Sequence, residues 1–128
     1  MWLKDFDYTL NKAKALKEAG FYDVAALYIH LAVEKALKAA IAAFNCQEPP
    51  KSHALESLYS KVANNLDLSE TEIRFLKRLT DAAFGTRYLD VSLQFPSEIY
   101  TKEIVDEYFE KALPIVEKIV ERIKALEK

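Results

Sequence analysis

A chain of 128 residues fits one domain, residues 1–128, long enough to bury a core without metals or disulfides. With 51% apolar and 30% charged residues it is globular rather than disordered. A net charge of −2 excludes a global positive field for nucleic acid, so any RNA or DNA contact has to be local.

Two glycines and four prolines leave few turns, which argues for a small number of long helices. Trp2, Phe6, Leu10, Ala13 and Leu16 recur at helical spacing, and Gly20 makes a natural stop, so a first helix is expected to about Ala19. Asp23 is expected to cap a second helix to about Phe44. That helix is apolar almost all round, as suits the central member of a bundle. The stretch from Val24 to Phe44 is about membrane length, but His30, Glu34, Lys35 and Lys38 interrupt it, so it reads as a buried core helix and no membrane contact is expected. Asn45 to Lys51, with Pro49-Pro50, reads as a turn.

Ser52 is expected to cap a third helix with Leu55, Leu58, Tyr59 and Val62 on its inner face. Ser69-Glu70-Thr71-Glu72 has capping-box spacing and opens a fourth helix. Its apolar stripe is Ile73, Leu76, Leu79, Ala83 and Phe84, and Gly85 is expected to end it. Thr86 to Tyr100 then forms the longest non-helical connection, and connections of this length are often functional. Thr101 caps a final helix running through Leu126, with Pro114 inside it and a kink expected near Glu110 to Leu113. No internal repeat or linker is evident. The fold expected is all-α, one helical bundle.

The start, Met1-Trp2-Leu3-Lys4-Asp5, lacks the basic residues and apolar run of a signal peptide. Cys46 is the single cysteine and cannot form an internal disulfide, which fits a reducing cytoplasm. It reads as a loop residue without a role.

Three places can carry chemistry. His30, Glu34 and Lys38 fall at i, i+4 and i+8 on one stripe of the second helix. The stripe reads either as a narrow solvent-facing strip, because charges are almost never fully buried unless paired, or as a polar seam facing a cleft or a partner subunit. In the second reading Glu34 anchors Arg87 through a bidentate pair. His53 lies at the first turn of the third helix, as a helix-start residue without a role or as a general acid/base or phosphate contact.

Arg87, Tyr88 and Asp90 follow the fourth helix directly. Arginine presents a planar fork suited to phosphate or carboxylate. Tyr88 can stack on a base or close the bundle end, and Asp90 can orient Arg87 or cap the loop. No metal site is expected, since an i, i+4 pair of His30 and Glu34 is weak by itself. No cofactor is expected either, for there is no phosphate-binding glycine loop and no nucleophile elbow.

The order of these pieces resembles the HEPN domain family. An amphipathic first helix is followed by Gly20-Phe21-Tyr22-Asp23-Val24-Ala25-Ala26, leading into Ala32-Val33-Glu34-Lys35-Ala36-Leu37-Lys38-Ala39. His53-Ala54-Leu55 opens the third helix, Arg87-Tyr88 with Asp90 follows the fourth, and Thr101-Lys102-Glu103 begins the last. The resemblance covers essentially the whole chain. It implies an up-and-down bundle of four to five helices that forms a homodimer and is often encoded beside a minimal nucleotidyltransferase.

Members of that family include toxins of toxin–antitoxin pairs that cut RNA without a metal. Their motif is an arginine and a histidine with four to six residues between them, brought together with its twin across the dimer. Here the positions after Arg87 hold Ser92, Leu93 and Gln94, so the imidazole is missing from its expected place. The expected function is therefore a HEPN-type binding or regulatory module acting with a nucleotidyltransferase partner. It takes nucleotide or RNA phosphate at a cleft containing Arg87, Tyr88, Asp90, Glu34, Lys38 and His53. The alternative is a metal-independent endoribonuclease toxin using Arg87 with His53.

Overall fold

The computed structural model describes residues 2–87 and 100–126, and side chains throughout these except at 84–87. Six helices occur among the described residues: α1 (Trp2–Glu18), α2 (Tyr22–Asn45), α3 (Leu55–Ser60), α4 (Ala63–Leu66), α5 (Glu70–Arg87) and α6 (Lys102–Ala125). The all-α bundle expected from the sequence is what forms.

Gly20 ends α1 as its position suggested. Its φ of +87° is left-handed, open to glycine at no steric cost. The reversal is a paired one: the Phe21 N–H donates to the Leu16 carbonyl at 2.9 Å and the Gly20 N–H to the Lys17 carbonyl at 3.0 Å. The chain thus folds back, and Trp2 and Leu3 share a pocket with Ala39, Ala42 and Ala43 near the far end of α2. The start of α2 differs from expectation. Phe21 is the flanking residue and makes no side-chain cap, while Asp23 lies within the first turn, where a carboxylate favours the positive end of the helix dipole.

α2 is the axis of the molecule and packs against α1, α3, α5 and α6. Ala25, Ala26, Ala32, Ala36, Ala39 and Ala40 let neighbours approach closely, and Ile29, Val33, Leu37 and Ile41 fill the space between them. It ends at Cys46, which is exposed and left-handed at φ 52°.

The third predicted helix is in fact two short ones. α3 stops at Ser60, Val62 leaves helical geometry, and α4 adds one turn. The expected inner face is nonetheless buried: Leu55, Leu58, Tyr59 and Val62 all lie in the core. The carbonyls of Asn65 and Asp67 at the end of α4 accept from Arg122 and Lys118 of α6, each at 3.0 Å, so the short helix is tied down by its neighbour.

α5 opens with the capping box read from the sequence. Ser69 Oγ accepts from the Glu72 N–H at 3.1 Å, and Glu72 Oε1 accepts from the Ser69 N–H at 2.9 Å. Replacing Ser69 with Ala should cost about 1 kcal/mol in urea unfolding, and no measurable loss would mean the box is solvated. α5 then continues past Gly85 to Arg87, because one glycine inside a helix costs only about 1 kcal/mol. The stop predicted at Gly85 is therefore not found there: the helix is still present at Arg87, beyond which the chain lies outside the described residues.

Thr101 caps α6, its Oγ1 accepting from the Ile104 N–H at 3.3 Å. α6 runs unbroken through Pro114. Pro114 and Glu110 are both exposed, so the carbonyl that loses its partner can be hydrated. Tyr100, buried ahead of the cap, donates its hydroxyl to the Ala82 carbonyl and joins α5 to the start of α6.

A surface ion cluster also spans α5 and α6. Arg78 donates to Glu107 at 2.9 Å, and Lys111 reaches the same carboxylate at 3.1 Å. The Arg78 hydrogen bond, then that of Lys111, holds the Glu107 carboxyl down to about 2 from its ordinary 4.5. A depressed carboxylate contributes stability above its unfolded pKa and loses it as pH falls through the folded one. Stability should therefore drop between about pH 4.5 and 2, with a flatter acid limb in Glu107→Gln. An unchanged limb in that variant would show that solvent screens the cluster completely.

Candidate functional site

The stripe of α2 that carries His30, Glu34 and Lys38 does not face solvent. Their relative exposures are 1%, 5% and 9%, so the solvent-strip reading is excluded. Burial at this level needs partners, and the carboxylate has them. Glu34 Oε2 accepts from Lys38 Nζ at 3.1 Å, one helical turn on. Both carboxylate oxygens face His53 Nδ1, at 3.0 and 3.1 Å. His30 Nδ1 stands 3.9 Å from Oε1, beyond hydrogen-bond reach.

His53 comes from the segment ahead of α3, and here the structure corrects the sequence reading. Ala54 is the residue flanking α3, so His53 lies outside the helix rather than in its first turn. Ser52 is not the cap. Its Oγ accepts from the Ala54 N–H two residues on, at 3.2 Å, forming a local turn. The Leu55 N–H is taken by Thr80 Oγ1 of α5 at 3.0 Å. The helix-start explanation for an anion at His53 therefore falls away. What holds His53 is a buried carboxylate.

An ionised carboxylate only accepts, so the proton in the Glu34–His53 bond sits on Nδ1. The His53 side chain is 48% exposed, and with Nδ1 turned inward its other nitrogen, Nε2, belongs to the solvent side of the ring. A carboxylate fixing one imidazole nitrogen while the other is presented outward is an arrangement suited to proton transfer or to gripping a polar ligand. Lys38 places a positive charge against the same carboxylate, on the Oε2 that His53 also meets.

The structure thus brings together Glu34, Lys38 and His53, three of the six predicted binding residues. Arg87 lies within α5 instead of in a loop. Position 87 is seven residues beyond Thr80, at nearly the same angular register and about 10.5 Å further along the axis. Its side chain, Tyr88, Asp90 and the positions of Ser92, Leu93 and Gln94 lie outside the described residues, so the Glu34–Arg87 pair is not among the contacts seen.

Thr80 was not anticipated. It is a buried threonine beside Leu79 in an apolar stripe, and a polar residue inside such a stripe is the signal that marks it. Among the described residues, no three His, Cys, Asp or Glu side chains form a group that could hold a metal. No helix among them is long and apolar enough to cross a membrane, and α2 is the core helix its interrupting charges implied.

The helical bundle agrees with the family comparison. The family model described as HEPN domain matches residues 1–126, and the chain belongs to the HEPN family. Membership supports a nucleotide- or RNA-related module, regulatory or nucleolytic. No curated protein matches the chain. Among solved structures it is similar to the crystal structure of TT1696 from Thermus thermophilus, with a TM-score of 0.82 over 94% of each chain. At 23% identity that likeness speaks for the fold.

Proposed function

We propose that this chain is a HEPN-type binding or regulatory module that takes a nucleotide or RNA phosphate beside His53, with Arg87 as the cationic contact. The supporting observation is the half-exposed His53 ring held by buried Glu34, whose carboxylate is paired with Lys38. A structural histidine has no need of an exposed edge, and a buried carboxylate is an expensive way to hold one in place. Tyr88 and Asp90 complete the proposed site by stacking on a base and by orienting Arg87. The module acts as a homodimer with a minimal nucleotidyltransferase as partner, as the family resemblance implies, in the cytoplasm that the single cysteine suggests.

The Glu34–His53 geometry also favours a second reading, a metal-independent endoribonuclease of a toxin–antitoxin pair. A neutral ring protonated at Nδ1 carries its lone pair at Nε2, where it can accept the proton of a ribose 2′-hydroxyl as that oxygen attacks the adjacent phosphate. The bond to the next nucleotide's 5′-oxygen breaks, that oxygen leaves with a proton from water, and a 2′,3′-cyclic phosphate remains. Arg87 would then stabilise the charge that develops on the phosphate.

One assay separates the two. Labelled RNA is incubated in chelator with the wild-type protein, Arg87→Ala and His53→Ala. The module reading expects no cleavage by any of them, and nucleotide or RNA binding weakened at least about tenfold in Arg87→Ala, the loss of one charged contact. Cleavage by the wild type that both substitutions abolish replaces it with the nuclease reading. Neither binding nor cleavage by the wild type would refute both.

A further inference from the structure

The main chain around His53 is tied to two different helices. From α2, His30 Nε2 lies 3.0 Å from the His53 carbonyl, which can only accept, so the ring N–H donates to it. From α5, Thr80 Oγ1 accepts from the Leu55 N–H at 3.0 Å while its own hydroxyl donates to the Leu76 carbonyl at 3.0 Å. The second bond fixes the hydroxyl rotor and leaves its lone pairs for Leu55. Both side chains are buried.

These ties bear on which nitrogen of His53 meets Glu34. In an imidazole side chain Nδ1 is close to the backbone and Nε2 is at the far edge of the ring. Nδ1 can reach a carboxylate seated inside α2 only if the main chain is held close to that helix. Were the segment to relax outward, the longer Nε2 edge would reach Glu34 instead and Nδ1 would be the nitrogen left outside.

We propose that Thr80, together with His30, is a positioning residue that holds the backbone of His53 against α2, so that Nδ1 binds Glu34 and Nε2 is kept for a ligand. The inference rests on His53 being the residue that meets the ligand, and it concerns how the ring is set for that task. Neither Thr80 nor His30 touches the ligand.

The chain has two histidines, so long-range proton–nitrogen correlation spectra of uniformly nitrogen-15-labelled protein contain two imidazoles, and His53→Ala assigns them. Spectra are recorded at about pH 8, above the ordinary imidazole range. In the wild type His53 shows the Nδ1–H pattern. In Thr80→Val, which keeps the shape and removes the hydroxyl, that pattern falls from predominant to minor, and Thr80→Ser restores it. A folded Thr80→Val that keeps the wild-type pattern overturns the proposal, since a merely structural threonine lowers stability without moving the proton.

Where Thr80→Val does not fold, His30→Leu removes the other tie, and persistence of the Nδ1–H pattern there overturns it equally. A wild type already in the Nε2–H form refutes the clamp directly. The expected spectra in a protein that neither binds nor cleaves RNA would sustain the positioning role and refute the proposed function, so the two fail separately.

Discussion

Replacing Glu34 with Ala is expected to destabilise the protein by about 3–5 kcal/mol, the range for removing one member of a buried ion pair. Most of the cost comes from the charge left stranded inside the bundle. Lys38 is 9% exposed and would keep a buried ammonium with its carboxylate gone. His53 Nδ1 would be deprived of both oxygens it faces. Against a typical total of about 5–15 kcal/mol, a loss of this size removes roughly a fifth or more of the folding free energy.

Urea unfolding should show the midpoint falling with little change in slope. Glu34→Gln should recover part of the loss, because its amide oxygen can still accept from Lys38 or His53 but no longer balances the charge. A Glu34→Ala loss below about 1 kcal/mol would mean that water reaches the pair and that the cluster behaves as a surface one.

The second large effect is expected at Leu37, three residues along the same helix. Leu37 is fully buried, and truncation to Ala should cost about 2–5 kcal/mol through lost transfer energy and the cavity left among its neighbours. The comparison is informative because Leu37 and Lys38 are adjacent on one helix yet serve different ends. Leu37→Ala should lower the unfolding midpoint while leaving the His53 ring protonated at Nδ1, whereas Glu34→Ala should change both. If Leu37→Ala also displaced the His53 proton, α2 would be setting the site through its overall position rather than through Glu34.

Much of the fold is legible because its signals are local. The alternation of apolar residues in α1, the glycine after it, the Ser69–Glu72 box and the Thr101 cap each act within a few residues of chain, and each appears where the sequence placed it. The failures are equally physical. Ser52 and Asp23 are good capping residues by type, but at α3 a long-range contact, Thr80, supplies the bond, while α2 starts earlier, after an uncapped Phe21 that leaves Asp23 inside the first turn. Gly85 looked like a stop, and α5 continued through it.

The site divides along the same line. From residue types and spacing alone the sequence determined an all-α bundle, the polar stripe His30–Glu34–Lys38 on its central helix, and the separate candidacy of His53. It left open whether that stripe meets water or a partner, since helical periodicity says which residues share a face and not what lies opposite. Tertiary structure decided that. By wrapping α2 with α1, α3, α5 and α6 it took the stripe out of solvent, where a carboxylate must be paired, and it brought His53 from across the Pro49-Pro50 turn as one of the two partners. The role of Thr80 belongs wholly to this second level, because the N–H it satisfies is 25 residues away in the chain.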